Sequence, residues 1–236
     1  METEVQLSDL KQMRKTGQDQ VEPRVYVPAR LISIYITRLL IGTRVTPNGV
    51  TIFWFFCLLG ASAAFAVGEY VYLVAGAVIV FLSYVFDCVD GELARITRRT
   101  SKIGIQLEQM VHWTTNGFLL LGITTGLYVT THNPLIWPLG ALTIIGDFTF
   151  HFLYIQLYQT ADLERDYGFL HTYTRWLYTA MPINTNLMIV GALTNQLRVF
   201  LIIWAVLSNV SWLIVFGLYY RTEVKEIQRN DLDHNT

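Results

Sequence analysis

The chain has 236 residues, 53% of them hydrophobic and only 15% charged, with a formal net charge of -1. A soluble domain carries about 25% charged residues, so this balance argues against an ordinary soluble globular protein and points to a bilayer. The two cysteines, Cys57 and Cys88, fall in or beside apolar runs and read as small hydrophobes, which argues against a disulfide framework.

In chain order, residues 1–24 are polar and mixed in charge. They lack the apolar core of a cleavable signal peptide. "ARLISIYITRLLIG" (29–42) is apolar with Arg30 and Arg38 set in it. It is too short to span and reads as an interfacial helix on the cytoplasmic leaflet. "VTPNGVT" then breaks the chain, with Pro47 suited to a first helical turn. A membrane helix needs about 20 mostly apolar residues, and six runs approach that length: 48–67, 70–87, 104–130, 134–158, 177–196 and 198–220. The fifth is the weakest, because "MPINTN" interrupts it with Pro182 and polar residues. The short connections at 68–69 and 131–133 imply antiparallel hairpins. Residues 221–236 form a polar C-terminal tail. The expected fold is an all-α membrane protein, with six transmembrane helices preceded by an interfacial amphipathic helix, in a membrane domain over residues 25–220.

Lys and Arg set the orientation. Lys11, Arg14, Lys15, Arg24, Arg30, Arg38 and Arg44 precede the first span. Arg95, Arg98, Arg99 and Lys102 lie between spans two and three, Arg165 and Arg175 between four and five, and Arg221, Lys225 and Arg229 after six. Only Arg198 falls on the other side. Both termini are therefore expected in the cytoplasm of a multi-pass protein, in a bacterial plasma membrane or its equivalent.

Span two ends in "YVFDCVDGELAR", and span three begins with "GIQLEQMVHW". Hydrocarbon penalises charged groups by roughly 2.5–3.5 kcal/mol each on insertion scales, so these positions call for a purpose. Asp87, Asp90, Gly91 and Ala94 stand at i, i+3, i+4 and i+7, one helical face. It carries two carboxylates and then two residues small enough for a ligand to approach the backbone. Arg95 follows. Gly104, Glu108, His112 and Asn116 repeat every four residues on span three. Glu108 and His112 lie one or two turns deep, so the two faces can meet near the cytoplasmic surface. Facing carboxylates repel unless a cation sits between them, and oxygen-rich clusters suit Mg²⁺ or Mn²⁺. Two such ions can clamp phosphate oxygens, and Arg95 would meet a diphosphate. The residues thus suggest metal-assisted phosphoryl chemistry.

With these residues the sequence resembles the CDP-alcohol phosphatidyltransferases, whose signature is D-x2-D-G-x2-A-R-x7-8-G-x3-D-x3-D. Asp87, Asp90, Gly91, Ala94 and Arg95 match its first half, and Gly104 follows at the right spacing. "TPNGVT" is similar to the family's entry to span one, and the resemblance covers about residues 25–220. It implies displacement of CMP from a CDP-alcohol, such as CDP-diacylglycerol, by an acceptor hydroxyl in phospholipid biosynthesis. It further implies that Asp87, Asp90 and Glu108 ligate metal, that two divalent ions bind, and that Asp87, Gly91, Ala94, Arg95 and Gly104 meet the CDP part. A lipid or a small polar alcohol would be the acceptor. The resemblance leaves room for a homodimer.

Glu108 and His112 stand where the family pattern has its third and fourth aspartates. Glu108 keeps the charge on a longer arm. His112 is open to two roles: general base, since imidazole titrates near neutrality, or metal ligand, where nitrogen favours Mn²⁺, Co²⁺ or Zn²⁺ over Mg²⁺. A site that only binds a CDP-alcohol is the alternative to catalysis. A small transporter ranks lower, since paired broken helices are not visible. Asn48 either caps span one or faces the nucleotide. Asp147 and His151, at i and i+4 on span four, are read as a paired structural contact inside the bundle or, with a function, as a wall of the acceptor pocket or support for the metal site, with Asn116 as a helix-packing hydrogen bonder or part of the same pocket. Arg98, Arg99 and Lys102 read most simply as topology signals and anionic-lipid contacts, with diphosphate binding as the alternative. The aromatic residues read as interfacial belts, and no nucleic-acid partner is expected.

Overall fold

A computed structural model describes residues 27–160 and 181–233. The described residues form seven helices and no strand: α1 Val27–Leu40, α2 Pro47–Val67, α3 Tyr70–Ile96, α4 Lys102–Thr131, α5 Ile136–Thr160, α6 Met181–Leu193 and α7 Leu197–Asp233. The all-helical expectation therefore holds for the described residues.

Among them, α2, α3, the Ile136–Leu153 part of α5 and the Leu197–Arg221 part of α7 are long and apolar enough to cross a membrane. Only 28% to 33% of each apolar window is buried inside the protein. Large side chains such as Phe56, Val71 and Ile145 point outward. Water would penalise that much exposed apolar surface; a lipid surround does not. Among the described residues, four helices are thus apolar enough to cross, where the sequence suggested six spans. α4 is 30 residues long but carries Gln106, Glu108, Gln109 and His112 in its first half. α6 has 13 residues within the described part, about 20 Å at 1.5 Å per residue, and the rest of the expected fifth span lies outside the described residues. Within the described residues "MPINTN" does not interrupt α6, since all six of its residues fall in the helix. α7 continues past the expected boundary at 220 to Asp233; its tail "TEVKEIQR" is built largely of helix formers.

The helix ends follow local chemistry. Thr46 caps α2, its hydroxyl accepting from the Gly49 N–H at 3.1 Å. Ser101 caps α4 in the same way, accepting from Gly104 N–H at 3.0 Å. Gly68 closes α2 at φ 79° and turns the chain into α3. A side chain there would strike the Gly126 carbonyl and Thr130, so the hairpin needs glycine on two counts.

The centre of the bundle is α2, α3 and α4. Gly122 and Gly126 on α4 lie against the backbone carbonyls of Ser62 and Phe65 on α2, the close approach that small residues permit between membrane helices. Ser62 Oγ donates to the Phe118 carbonyl. Trp54, Phe65, Leu120 and Ile123 fill this core. α1 packs on α3, while α5, α6 and α7 close the other side. The tight α2–α3–α4 contact brings the C-terminal end of α3 and the N-terminal half of α4 together.

Candidate functional site

The two polar faces meet as the spacing requires. Asp87 on α3 and Glu108 and His112 on α4 each offer a donor atom, and these atoms lie within 4.8 Å of one another. Asp87 Oδ1 stands 2.9 Å from His112 Nε2. The Asp87 side chain is largely buried, whereas 45% of the His112 side chain is accessible. The His112 ring packs on Trp54, with centroids 5.0 Å apart, which restrains its orientation.

The donor set fits a divalent ion. Two carboxylates and an imidazole are oxygen and nitrogen ligands of the kind Mn²⁺ and other first-row ions accept. Adjacent donors around an octahedral ion with ~2.1 Å bonds stand about 3 Å apart, close to the Asp87–His112 separation.

Asp90 lies one turn beyond Asp87 and is not part of that group of three. It is 4% exposed, and its Oδ2 accepts from Thr51 Oγ1 at 2.6 Å and Trp54 Nε1 at 2.9 Å. A buried carboxylate needs such donors, because hydrogen bonds to its charged form offset the lost hydration. Thr51 and Trp54 were not among the residues expected at the site. They stand at i and i+3 on the buried face of α2, and Thr51 closes the "TPNGVT" segment. The same Trp54 touches both Asp90 and His112, so α2 braces the site from behind.

Gly91 and Arg95 form the outward end of the α3 face. The Arg95 guanidinium folds back along the helix, with Nη1 3.4 Å from where a Gly91 Cβ would stand. Ala94 shares the face and is partly exposed. At the entrance to α4, a Cβ on Gly104 would meet Asn48 Oδ1 at 3.1 Å and Ser101 Oγ at 3.2 Å. Capping does not account for Asn48, since Thr46 supplies the cap. Its side chain instead lies against Gly104, linking the starts of α2 and α4 beside the cluster.

Asn116, one turn further along α4, belongs to a second polar group with Asp147 and His151. Asp147 on α5 is 3% exposed. Asn116 Nδ2 donates to its Oδ2, and Trp204 Nε1 on α7 donates to its Oδ1 at 2.8 Å. His151 Nδ1 lies 2.7 Å from the Asp147 carbonyl oxygen and 3.5 Å from Oδ2. Asn184 on α6 donates to Asn116 Oδ1 at 3.4 Å. Three helices thus meet at the Asp147 carboxylate, and α6 joins them through Asn116. Trp204 and Asn184 were not singled out in the sequence. The polarity of "MPINTN" was the available signal for Asn184, which is buried on α6.

Comparison with known proteins gives a consistent picture. The family model described as CDP-alcohol phosphatidyltransferase matches residues 44–217. The bifunctional IPC transferase and DIPP synthase of Thermococcus kodakarensis is 32% identical over 117 residues, which is 50% of this chain and 25% of that protein. The archaetidylinositol phosphate synthase of Pyrococcus horikoshii is 30% identical over 129 residues, 55% of this chain and 62% of that protein. The chain thus spans less than two thirds of the length of either curated relative. Among solved structures, the phosphatidylinositol phosphate synthase of Mycobacterium tuberculosis with CDP-DAG bound superposes with a TM-score of 0.64 at 18% identity, covering 79% of this chain and 92% of that one. The same enzyme in complex with manganese and citrate gives 0.63 at 19%, covering 80% and 89%. At such identities the likeness shows the fold.

Proposed function

Since the chain belongs to the CDP-alcohol phosphatidyltransferase family, we propose that it displaces CMP from a CDP-alcohol and transfers the remaining substituted phosphoryl group to an acceptor hydroxyl. The acceptor oxygen bonds to the phosphorus that carries the alcohol. The bond from that phosphorus to the CMP oxygen breaks, and the hydroxyl proton leaves to a base. The observation that carries this reading is the convergence of Asp87, Glu108 and His112 beside Gly91 and Arg95 at one end of the bundle.

Asp87, Glu108 and His112 would hold a divalent ion, with Asp90 completing the acidic face for a second. Such ions supply the positive charge that a diphosphate and a departing CMP require. Arg95 adds a fixed cation with a planar donor set, while Gly91, Ala94, Gly104 and Asn48 leave a low surface along which the CDP part can lie. Thr51 and Trp54 hold Asp90 in place. His112 serves best as a ligand, because its Nε2 already stands with the carboxylate oxygens, and its nitrogen tilts the site from Mg²⁺ toward Mn²⁺. The base role remains a second reading for His112, supported by the accessibility of its ring. Glu108 is the other candidate to take the hydroxyl proton.

Asn116, Asp147 and His151 would wall the acceptor side, since Asn116 is one turn from His112 on the same stripe. We place this machinery in a six-span membrane domain over residues 25–220, with α4 and the span containing α6 completing the four apolar crossings. The polar segments 1–24 and 221–236 face the cytoplasm with the site. CDP-diacylglycerol is the first donor to test and a phosphorylated inositol the first acceptor, given the names of the relatives. CMP release from CDP-diacylglycerol, CDP-choline and CDP-ethanolamine, each with a panel of acceptors in Mg²⁺ or Mn²⁺, tests the proposal. Release without any acceptor dependence would contradict transfer.

A further inference from the structure

Glu92 lies within the signature stretch but takes no part in the metal cluster. Its carboxylate is gripped from α1: Ser33 Oγ donates to Oε1 at 2.7 Å and Thr37 Oγ1 to Oε2 at 2.6 Å. Ser33 and Thr37 are one turn apart and both 0% exposed. The opposite face of α1 carries the exposed Leu31, Tyr35 and Leu39, an apolar surface suited to lipid. α1 is thus seated by its outer face and holds Glu92 with its inner face.

Arg95 stands three residues after Glu92. On a helix surface an acidic and a basic residue at that spacing attract one another. Here the Arg95 guanidinium lies over Gly91, within electrostatic reach of Glu108 and not paired to Glu92. Both oxygens of Glu92 are occupied, each by one hydroxyl.

We propose that Ser33 and Thr37 hold the Glu92 carboxylate away from Arg95 and so keep that guanidinium open to the donor's diphosphate. This rests on the reading that Arg95 meets the diphosphate. Released from α1, the carboxylate turns to its neighbour on α3 and competes with the ligand. Ser33 and Thr37 are then positioning residues that act through Glu92.

The test is calorimetric binding of CDP, with Mn²⁺ present, to the full-length protein in lipid nanodiscs. Ser33→Ala combined with Thr37→Val frees the carboxylate with little change of shape. CDP affinity is expected to fall about two- to fivefold, the scale of a helix-neighbour ion pair that is partly desolvated. Adding Glu92→Gln to that pair removes the competing charge and is expected to restore wild-type affinity. A clamp with a purely structural role would give no such rescue. Unchanged affinity in the double variant overturns the proposal, and so does a loss that Glu92→Gln fails to reverse. A wild-type protein that binds no CDP contradicts the donor reading itself and takes this inference with it.

Discussion

Trp204→Phe tests the polar knot between α4, α5 and α7. The substitution keeps most of the ring but deletes the N–H that Asp147 Oδ1 accepts at 2.8 Å. Asp147 is 3% exposed, so water cannot replace the donor without opening the bundle. Hydrogen bonds to charged groups contribute about 1.5–3 kcal/mol, and losing one partner of a buried group costs its desolvation as well. Interhelical hydrogen bonds measured in a bilayer reach only ~1.7 kcal/mol. Asn116 still satisfies Oδ2, so the expected loss is about 1.5–2 kcal/mol, near the overlap of the two ranges. Reversible unfolding in mixed detergent micelles, followed by circular dichroism, reads this directly. The double variant Asp147→Leu/Trp204→Phe is expected to be less destabilised than the sum of the two single variants, because the second change no longer breaks a contact. A Trp204→Phe loss within about 0.5 kcal/mol, the scale of an inconsequential surface change, would refute the claim that Asp147 relies on that donor.

Further outcomes follow from the same geometry. Gly126→Leu should prevent α2 and α4 from closing, because a side chain at that position strikes the Phe65 carbonyl; the variant is expected to be recovered at a small fraction of wild-type yield, and normal yield with unaltered melting would count against the packing. His112→Asp should retain CMP release but shift the metal preference from Mn²⁺ toward Mg²⁺, read both by activity and by Mn²⁺ electron paramagnetic resonance; an unchanged metal order would remove His112 from the ligand set. Thr51→Val should weaken Mn²⁺ binding about tenfold, a loss near 1.4 kcal/mol and typical of one charge-assisted bond to Asp90; wild-type affinity would mean that Asp90 needs no bracing from α2. A cysteine at position 98 should resist impermeant reagents applied from outside the cell, and labelling there would invert the proposed topology.

Periodicity made the site's two faces legible. Asp87, Asp90, Gly91 and Ala94 share one face of α3, and Glu108 and His112 share one of α4, because a helix of period 3.6 leaves little freedom once the spacing is known. The meeting of Asp87 and His112 followed from their similar depth. Partners drawn from distant helices were not legible. Nothing in the spacing pairs Trp204 with Asp147 across α7 and α5, or Thr51 and Trp54 with Asp90, since these contacts depend on how the helices rotate as they pack. Asn48 shows the local version of the same difficulty. Thr46 and Asn48 are both good capping residues, and only the chain's entry into α2 decides that Thr46 takes the role. Span count was blurred for a related reason. A helix that carries the site must be polar where it carries it, so α4 loses apolar character in its N-terminal half.

The central claim is that Asp87, Glu108 and His112 assemble a metal-dependent centre that releases CMP from a CDP-alcohol. Its most direct test is CMP release from CDP-diacylglycerol by the purified protein in nanodiscs, with an inositol phosphate acceptor and titrated Mn²⁺, comparing wild type with Asp87→Asn. Wild-type release is expected to require both acceptor and divalent ion, and Asp87→Asn to lower it at least a hundredfold, about 2.7 kcal/mol of transition-state stabilisation, with Mn²⁺ binding lost in parallel. Full CMP release by Asp87→Asn, or undiminished wild-type release in excess chelator, would contradict it.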